Sequence, residues 1–110
     1  MDNILINQGN SFLNIKLEDV YFFSCNKGRI LIYLDNNVVL KISRQSLDYI
    51  ESIVNDNFFR SHRSYLINIK KVDTITKFST KSYNISFKNI KSEAYMTQKR
   101  FNLLYQKIHI

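Results

Sequence analysis

From residue 12 onward the chain alternates between apolar and polar positions. In "SFLNIKL", Phe12, Asn14 and Lys16 fall on one face and Leu13, Ile15 and Leu17 on the other. That period of two marks a half-buried strand. "DVYFFS" follows as a short aromatic run, and "RILIYLD" as a second strong strand. Between them Asn26, Lys27 and Gly28 supply turn chemistry, with Gly28 free to adopt a positive φ. "DNN" at 35–37 is a further turn and leads into "VVLKI". The pattern predicts an antiparallel meander with short connections, whose open hairpin ends can carry functional groups.

The spacing changes over 44–54. Leu47, Ile50, Ile53 and Val54 recur at helical intervals, with Ser43 as the expected N-cap and Asn55 as the stop. Ile42 is placed to pack on Leu47 as a hydrophobic staple. A helix-turn-helix needs a second helix close by, and the next segment, "FFRSHRSYLINI", is strand-like instead. If that segment is extended, Arg60 and His62 share a face while Ser61 and Arg63 project to the other. Only a turn at this point lets His62 and Arg63 meet the same partner.

"VDTITKF" and "YNISFK" alternate around the polar turn "STKS", with a twist or bulge expected between Ile75 and Phe78, which do not share a strict face. A short strand, "AYM", comes next. Thr97 then caps a last helix, with Phe101, Leu104, Tyr105 and Ile108 at i, i+3, i+4 and i+7. Lys99, Arg100 and Lys107 ride on its other faces.

Composition narrows the function. A chain of 110 residues with 45% hydrophobic and 23% charged residues is expected to be one globular domain spanning 1–110. With no Pro and only two Gly, it has neither a flexible linker nor a phosphate-cradling glycine loop. The lone Cys25 excludes an internal disulfide, fits a reducing cytoplasm, and reads as a small apolar residue rather than a reactive thiol. "MDNILINQGN" is neither a secretory signal nor an anchor, since no apolar run approaches the ~20 residues a membrane span needs. A soluble, cytoplasmic protein is expected.

Charge is unevenly spread. Residues 1–54 carry five basic and six acidic groups, whereas residues 55–110 carry eleven and three. That asymmetry suits a polyanion partner, or simply a solvated basic face.

Catalysis finds little support. Glu18 and Asp19 are adjacent, so on a strand they point apart. His62 and His109 are distant in sequence, and with Cys25 they are the only Cys or His residues, too few for a zinc set. No enzymatic activity and no cofactor are expected. Taken alone, His62 fits a half-buried sheet histidine with one ring nitrogen bonded to backbone.

Binding of nucleic acid fits the residues better. Arg offers a planar fork for guanine or phosphate, Lys a mobile charge, and Asn or Gln a pair of bonds to adenine. Three clusters have this chemistry: Asn26, Lys27 and Arg29; His62, Arg63 and Ser64; and Thr97, Gln98, Lys99 and Arg100. Hairpin folding can bring them to one edge. Each also has an ordinary reading, as a turn, a solvated strand end and a polar first helical turn.

The order "LEDVYFFSCNKGRILIYLDN", a helix, "FFRSHRSYLINIKKVDTI" and "MTQKRFNLL" resembles the LytTR DNA-binding domain of bacterial response regulators. The block F-x-R-x-H-R-S-Y-L-I-N is its specific part, and the match spans about residues 10–108. The resemblance implies a mainly β, elongated domain of several antiparallel sheets, with loops entering successive major grooves at imperfect direct repeats of double-stranded DNA. It implies a sequence-specific transcription regulator of a two-component system, bound as one or two copies. Carried over by position, the readers are Asn26, Lys27 and Arg29, then His62 and Arg63, then Gln98, Lys99 and Arg100. Gly28 stands where some members carry a histidine, and Lys99 where they carry an arginine. Family members usually also carry a phosphoacceptor receiver domain, for which this chain has no room, so the expectation is either a stand-alone LytTR protein or a piece of a longer regulator. Tyr65 is expected to pack, and Asn68 to bond backbone at a turn.

Two other readings follow from the same residues. One is a protein-interaction module that partners or blocks a full-length LytTR regulator. The other is single-strand binding, in which an exposed Tyr21 or Tyr83 stacks bases.

Overall fold

Residues 12–42 form the strands that their alternation predicts, but the computed structural model, which describes residues 2–42 and 45–108, adds a strand before them. Strand β1 (Asn3–Asn7) pairs antiparallel with β2 (Phe12–Lys16), placing Ile4 opposite Ile15 and Ile6 opposite Leu13. Strands β3 (Val20–Asn26), β4 (Arg29–Leu34) and β5 (Val39–Ile42) make the expected meander. Asn36 and Asn37, both at positive φ, turn the chain between β4 and β5.

Helix α1 is shorter than expected, Leu47–Ile53, and Ser46 caps it by accepting the Tyr49 amide at 3.0 Å. The expected cap, Ser43, lies outside the described residues. With the cap at Ser46, Ile42 falls too early for a staple, though it shares a core cluster with Leu47.

Strands β6 (Phe58–His62) and β7 (Tyr65–Asn68) form a hairpin that returns beside β3, giving the sheet order β5-β4-β3-β7-β6. Strands β8 (Val72–Lys77), β9 (Ser82–Phe87) and β10 (Ala94–Thr97) build a third antiparallel sheet. Its irregularity lies between Val72 and Thr74 rather than between Ile75 and Phe78. Pairing stays regular to Lys77, and Phe78 simply leaves the strand. Helix α2 (Gln98–Ile108) starts where expected, with Thr97 Oγ1 accepting the Arg100 amide at 3.2 Å. Of its apolar stripe, Leu104 is buried and Phe101 half-buried, while Tyr105 and Ile108 remain exposed.

The molecule is mainly β and elongated, 45 × 26 × 25 Å. The five-stranded sheet is its middle layer. One face carries Val20, Phe23, Ile30, Ile32 and Leu66 against β1, β2 and α1. The other carries Tyr21, Phe22 and Ile67 against Ile85, Phe87, Ala94 and Met96 of the third sheet and Leu104 of α2.

Burial on both faces explains why β3 reads as an unbroken apolar run, as sheets covered on two sides do. A register shift between Val20 and Phe22 lets the adjacent Tyr21 and Phe22 enter the same cluster. One extra residue opposite a single partner is a β-bulge, and it breaks the alternation of faces. Tyr21 (1% exposed) and Tyr83 (7%) therefore have no ring face to offer a base, which removes both from the alternative of single-strand stacking.

Asn68 is buried and donates to the Val20 carbonyl at 2.9 Å, while its Oδ1 accepts the Lys70 amide at 3.1 Å. It thus pins the turn after β7 to the start of β3. Both structural expectations hold here, since Tyr65 packs between Phe22 and Tyr95.

Candidate nucleic-acid interface

Two hairpin ends share one end of the middle sheet. In the first, Asn26 pairs with Arg29, leaving Lys27 and Gly28 as a two-residue loop with φ of 52° and 75°. Positive φ at both centres gives the turn a twist that matches its strands. Gly28 adopts this freely; Lys27 does so against a steric cost of about 1–2 kcal/mol. Asn26, Lys27, Gly28 and Arg29 are all exposed.

The second hairpin is built differently. His62 pairs with Tyr65, leaving Arg63 and Ser64 as the loop, and neither is at positive φ. Just before it, Arg60 pairs with Leu66 and His62 with Tyr65, so Ser61 is the extra residue of a bulge. The bulge corrects the expected facing of this segment. Arg60 does not share a face with His62: its guanidinium reaches Asp48 and Glu51 on α1. His62 turns with Ser61 toward β10, where Ser61 Oγ donates to the Tyr95 carbonyl at 2.8 Å. The His62 ring stands edge-on to Tyr65 at 5.5 Å.

The turn that sequence reasoning required for His62 and Arg63 to act together is present. The Cys25 amide donates to the Ser64 carbonyl at 2.9 Å, fastening the second loop to the strand that carries the first.

His62 Nδ1 accepts the Ser64 amide at 3.0 Å, so the neutral ring carries its proton on Nε2. Burial, then the charges of Arg63 and Arg60, hold its pKa below the ordinary histidine value of 6.5. The ring is a neutral donor with its acceptor already used. Arg63 is exposed.

The third cluster sits at the start of α2. Lys99 and Arg100 are exposed, but the Gln98 amide group is engaged by the protein. Its Oε1 accepts from Tyr83 Oη at 3.0 Å and its Nε2 donates to Asn102 at 2.9 Å. The Gln98 backbone N–H donates to the Lys81 carbonyl at 3.0 Å, which brings a further lysine beside this helix start.

Tyr95 connects the third cluster to the other two. Its ring meets Tyr65 edge-on at 5.5 Å and Phe78 at 6.3 Å, and it is 44% exposed. An open groove lined by Ser24, Asn26, Tyr33, His62, Tyr65 and Tyr95 lies between the first two loops and β10. Arg60, Tyr95 and Lys81 were not among the residues expected from sequence. Tyr95 had a legible signal, since alternation in "AYM" turns it away from Ala94 and Met96. The bonds of Arg60 depend on a bulge and had none.

Among the described residues, no group of three His, Cys, Asp or Glu could hold a metal, and no helix is long and apolar enough to cross a membrane.

A three-sheet antiparallel domain with exposed basic hairpin ends has the charge and reach to bind a polyanion. The LytTr DNA-binding domain family matches residues 10–109, and the chain belongs to that family. DNA binding in transcription regulation is therefore its function, and duplex DNA its partner class. The fold is similar to the LytTr DNA-binding domain of a protein described as a methyl-accepting/DNA response regulator from Bacillus cereus. The TM-score is 0.78 at 11% identity, covering 100% of this chain and 99% of that one. No curated protein matches the chain.

Proposed function

We propose that residues 1–110 act as one sequence-specific reader of double-stranded DNA, a LytTR-type transcription regulator of a bacterial two-component system. Its loops enter successive major grooves at imperfect direct repeats, one copy or two per site. Lys27 and Arg29 contact phosphate or base from the first loop, with Asn26 beside them. Arg63 reads from the second loop, with His62 donating from Nε2 or orienting the turn. Lys99 and Arg100 serve from the start of α2. Gln98, engaged by Tyr83 and Asn102, contributes chiefly by setting that start. No chemical step and no cofactor enter this reading.

The single observation that carries it is the bond from the Cys25 amide to the Ser64 carbonyl, which holds two exposed basic loops side by side. The 45 Å long axis supports the two-groove geometry, since it exceeds one helical repeat of about 34–36 Å.

Selection of bound sequences from random duplex DNA tests the reading. Arg63→Ala and Lys99→Ala should each lose enrichment at separate base positions. Affinity should fall with salt at a log–log slope of about −0.9 for each phosphate neutralised. A slope near zero would sink the proposal.

A second reading, partnering or blocking a full-length LytTR regulator, draws on a different feature. Leu5 (67% exposed) and Phe12 (62%) share the outer face of the β1–β2 hairpin. Under that reading the activity survives Arg63→Ala and is lost with Leu5→Ser.

A further inference from the structure

The two loops at this end of the sheet are held by different means. The Lys27-Gly28 turn has left-handed φ at both centres and so matches the strand twist by itself. The Arg63-Ser64 turn has neither, and a two-residue turn of that kind tends to splay its strands. Side chains must supply what its backbone lacks.

Arg60 is placed to do so. Its Nε donates to the His62 carbonyl at 3.0 Å, and one terminal nitrogen donates to the Arg63 carbonyl. The other terminal nitrogen meets Asp48 at 2.7 Å and Glu51 at 2.8 Å. One planar guanidinium thereby joins two successive carbonyls of the loop to two carboxylates of α1. The side chain is only 12% exposed, and the two carboxylates offset its charge, which leaves it poorly suited to meet a phosphate. A lysine, with a single compact ammonium on a flexible stem, cannot span the same four acceptors.

We propose that Arg60 is a positioning residue for DNA reading: it contacts no DNA and, braced by Asp48 and Glu51, fixes the loop that presents Arg63 and His62. The inference rests on the DNA-reading role given to that loop above.

Arg60→Met, Arg63→Ala and the double variant test it. Each is measured for amide exchange in the free protein, and for binding to a selected duplex and a random duplex over a range of salt. In Arg60→Met, exchange at Ser64 and Tyr65 should speed by about tenfold or more, the equivalent of one charge-assisted hydrogen bond. Exchange at Ile85 in the third sheet should speed by no more than the loss of global stability found in a denaturant titration. Affinity for the selected duplex should fall by about tenfold, while random-duplex binding and the salt slope stay as they were. In the Arg63→Ala background, Arg60→Met should add less than about twofold, since contacts acting through one another are not additive.

Equal losses on both duplexes, with the slope reduced by about 0.9, would make Arg60 a phosphate contact and overturn the inference. Unchanged exchange at Ser64 and Tyr65 would overturn it as well. If Arg60→Met does not fold, the Asp48→Asn and Glu51→Gln pair, which removes the brace alone, is read by the same criteria. Faster exchange in a protein that selects no duplex would refute the DNA-reading proposal and, with it, the role of Arg60 in reading, while leaving the clamp itself standing.

Discussion

His62 holds the Ser64 amide on Nδ1, and protonating that nitrogen would break the bond. Its folded pKa lies below the 6.5 of an ordinary histidine, with burial the leading cause and Arg63 and Arg60 adding to it. On acidification the unfolded chain therefore binds the proton first. The contribution of His62 is fully present above about pH 6.5 and is lost as pH falls from there toward the lowered folded value. Denaturant titrations at several pH values should show a shallower loss over that window in His62→Gln than in the native protein. Identical slopes would mean that the ring titrates alike folded and unfolded. The sequence reading of His62 as a half-buried histidine with one nitrogen on backbone describes this arrangement. The backbone group it meets depends on the loop conformation, which a single residue does not encode.

At the level of elements, alternation marks β2, β8 and β9, whose faces can be told apart, whereas composition marks β3 and the segment that holds β6 and β7. The signal fails where both faces are buried. In β3, Tyr21, Phe22 and Phe23 are all interior, and no period remains to assign them to sides. It fails again at the two bulges, since an extra residue is defined only against a partner strand far away in sequence. The Ser61 bulge is what separated Arg60 from His62. Strand β1 carries little signal in sequence because "NILIN" offers just two inward positions, Ile4 and Ile6, which matter only once β2 lies beside them.

Of the two helix starts, the cap of α2 was legible, whereas that of α1 is Ser46 rather than the expected Ser43. Thr97 caps α2 and so sets the helix turn that presents Lys99 and Arg100. Thr97→Ala should cost about 0.5–2 kcal/mol in a denaturant titration. It should also weaken DNA binding beyond what an unperturbed α2 start would give. Thr97→Ser, which keeps the acceptor, should restore both measurements.

At the scale of the whole molecule, two cores are pressed against opposite faces of one sheet. Phe23 belongs to the first and Ile85 to the second, and both are fully buried. Phe23→Ala should cost about 3–5 kcal/mol and Ile85→Ala about 2–5 kcal/mol. Since β3 contributes side chains to both clusters, neither core can melt alone. Tyrosine fluorescence and far-ultraviolet circular dichroism should report one coincident transition in each variant. Separate midpoints would show that the third sheet unfolds by itself.

The same strand has a consequence for how such a domain can change its target. β3 runs from the Asn68 bond at Val20 to the first loop at Asn26, and its Cys25 amide holds the second loop. It thus ties both loops to one end of the middle sheet. Adding one residue inside it would shift the first loop by about 3.3 Å and reverse every later side chain between the two cores. An insertion there is accommodated only where a bulge absorbs it, as the one at Tyr21 does. Under the proposed DNA reading, new specificity comes most directly from exchanging side chains at the tips, at Lys27, Arg29 and Arg63, with the strand register left as it is.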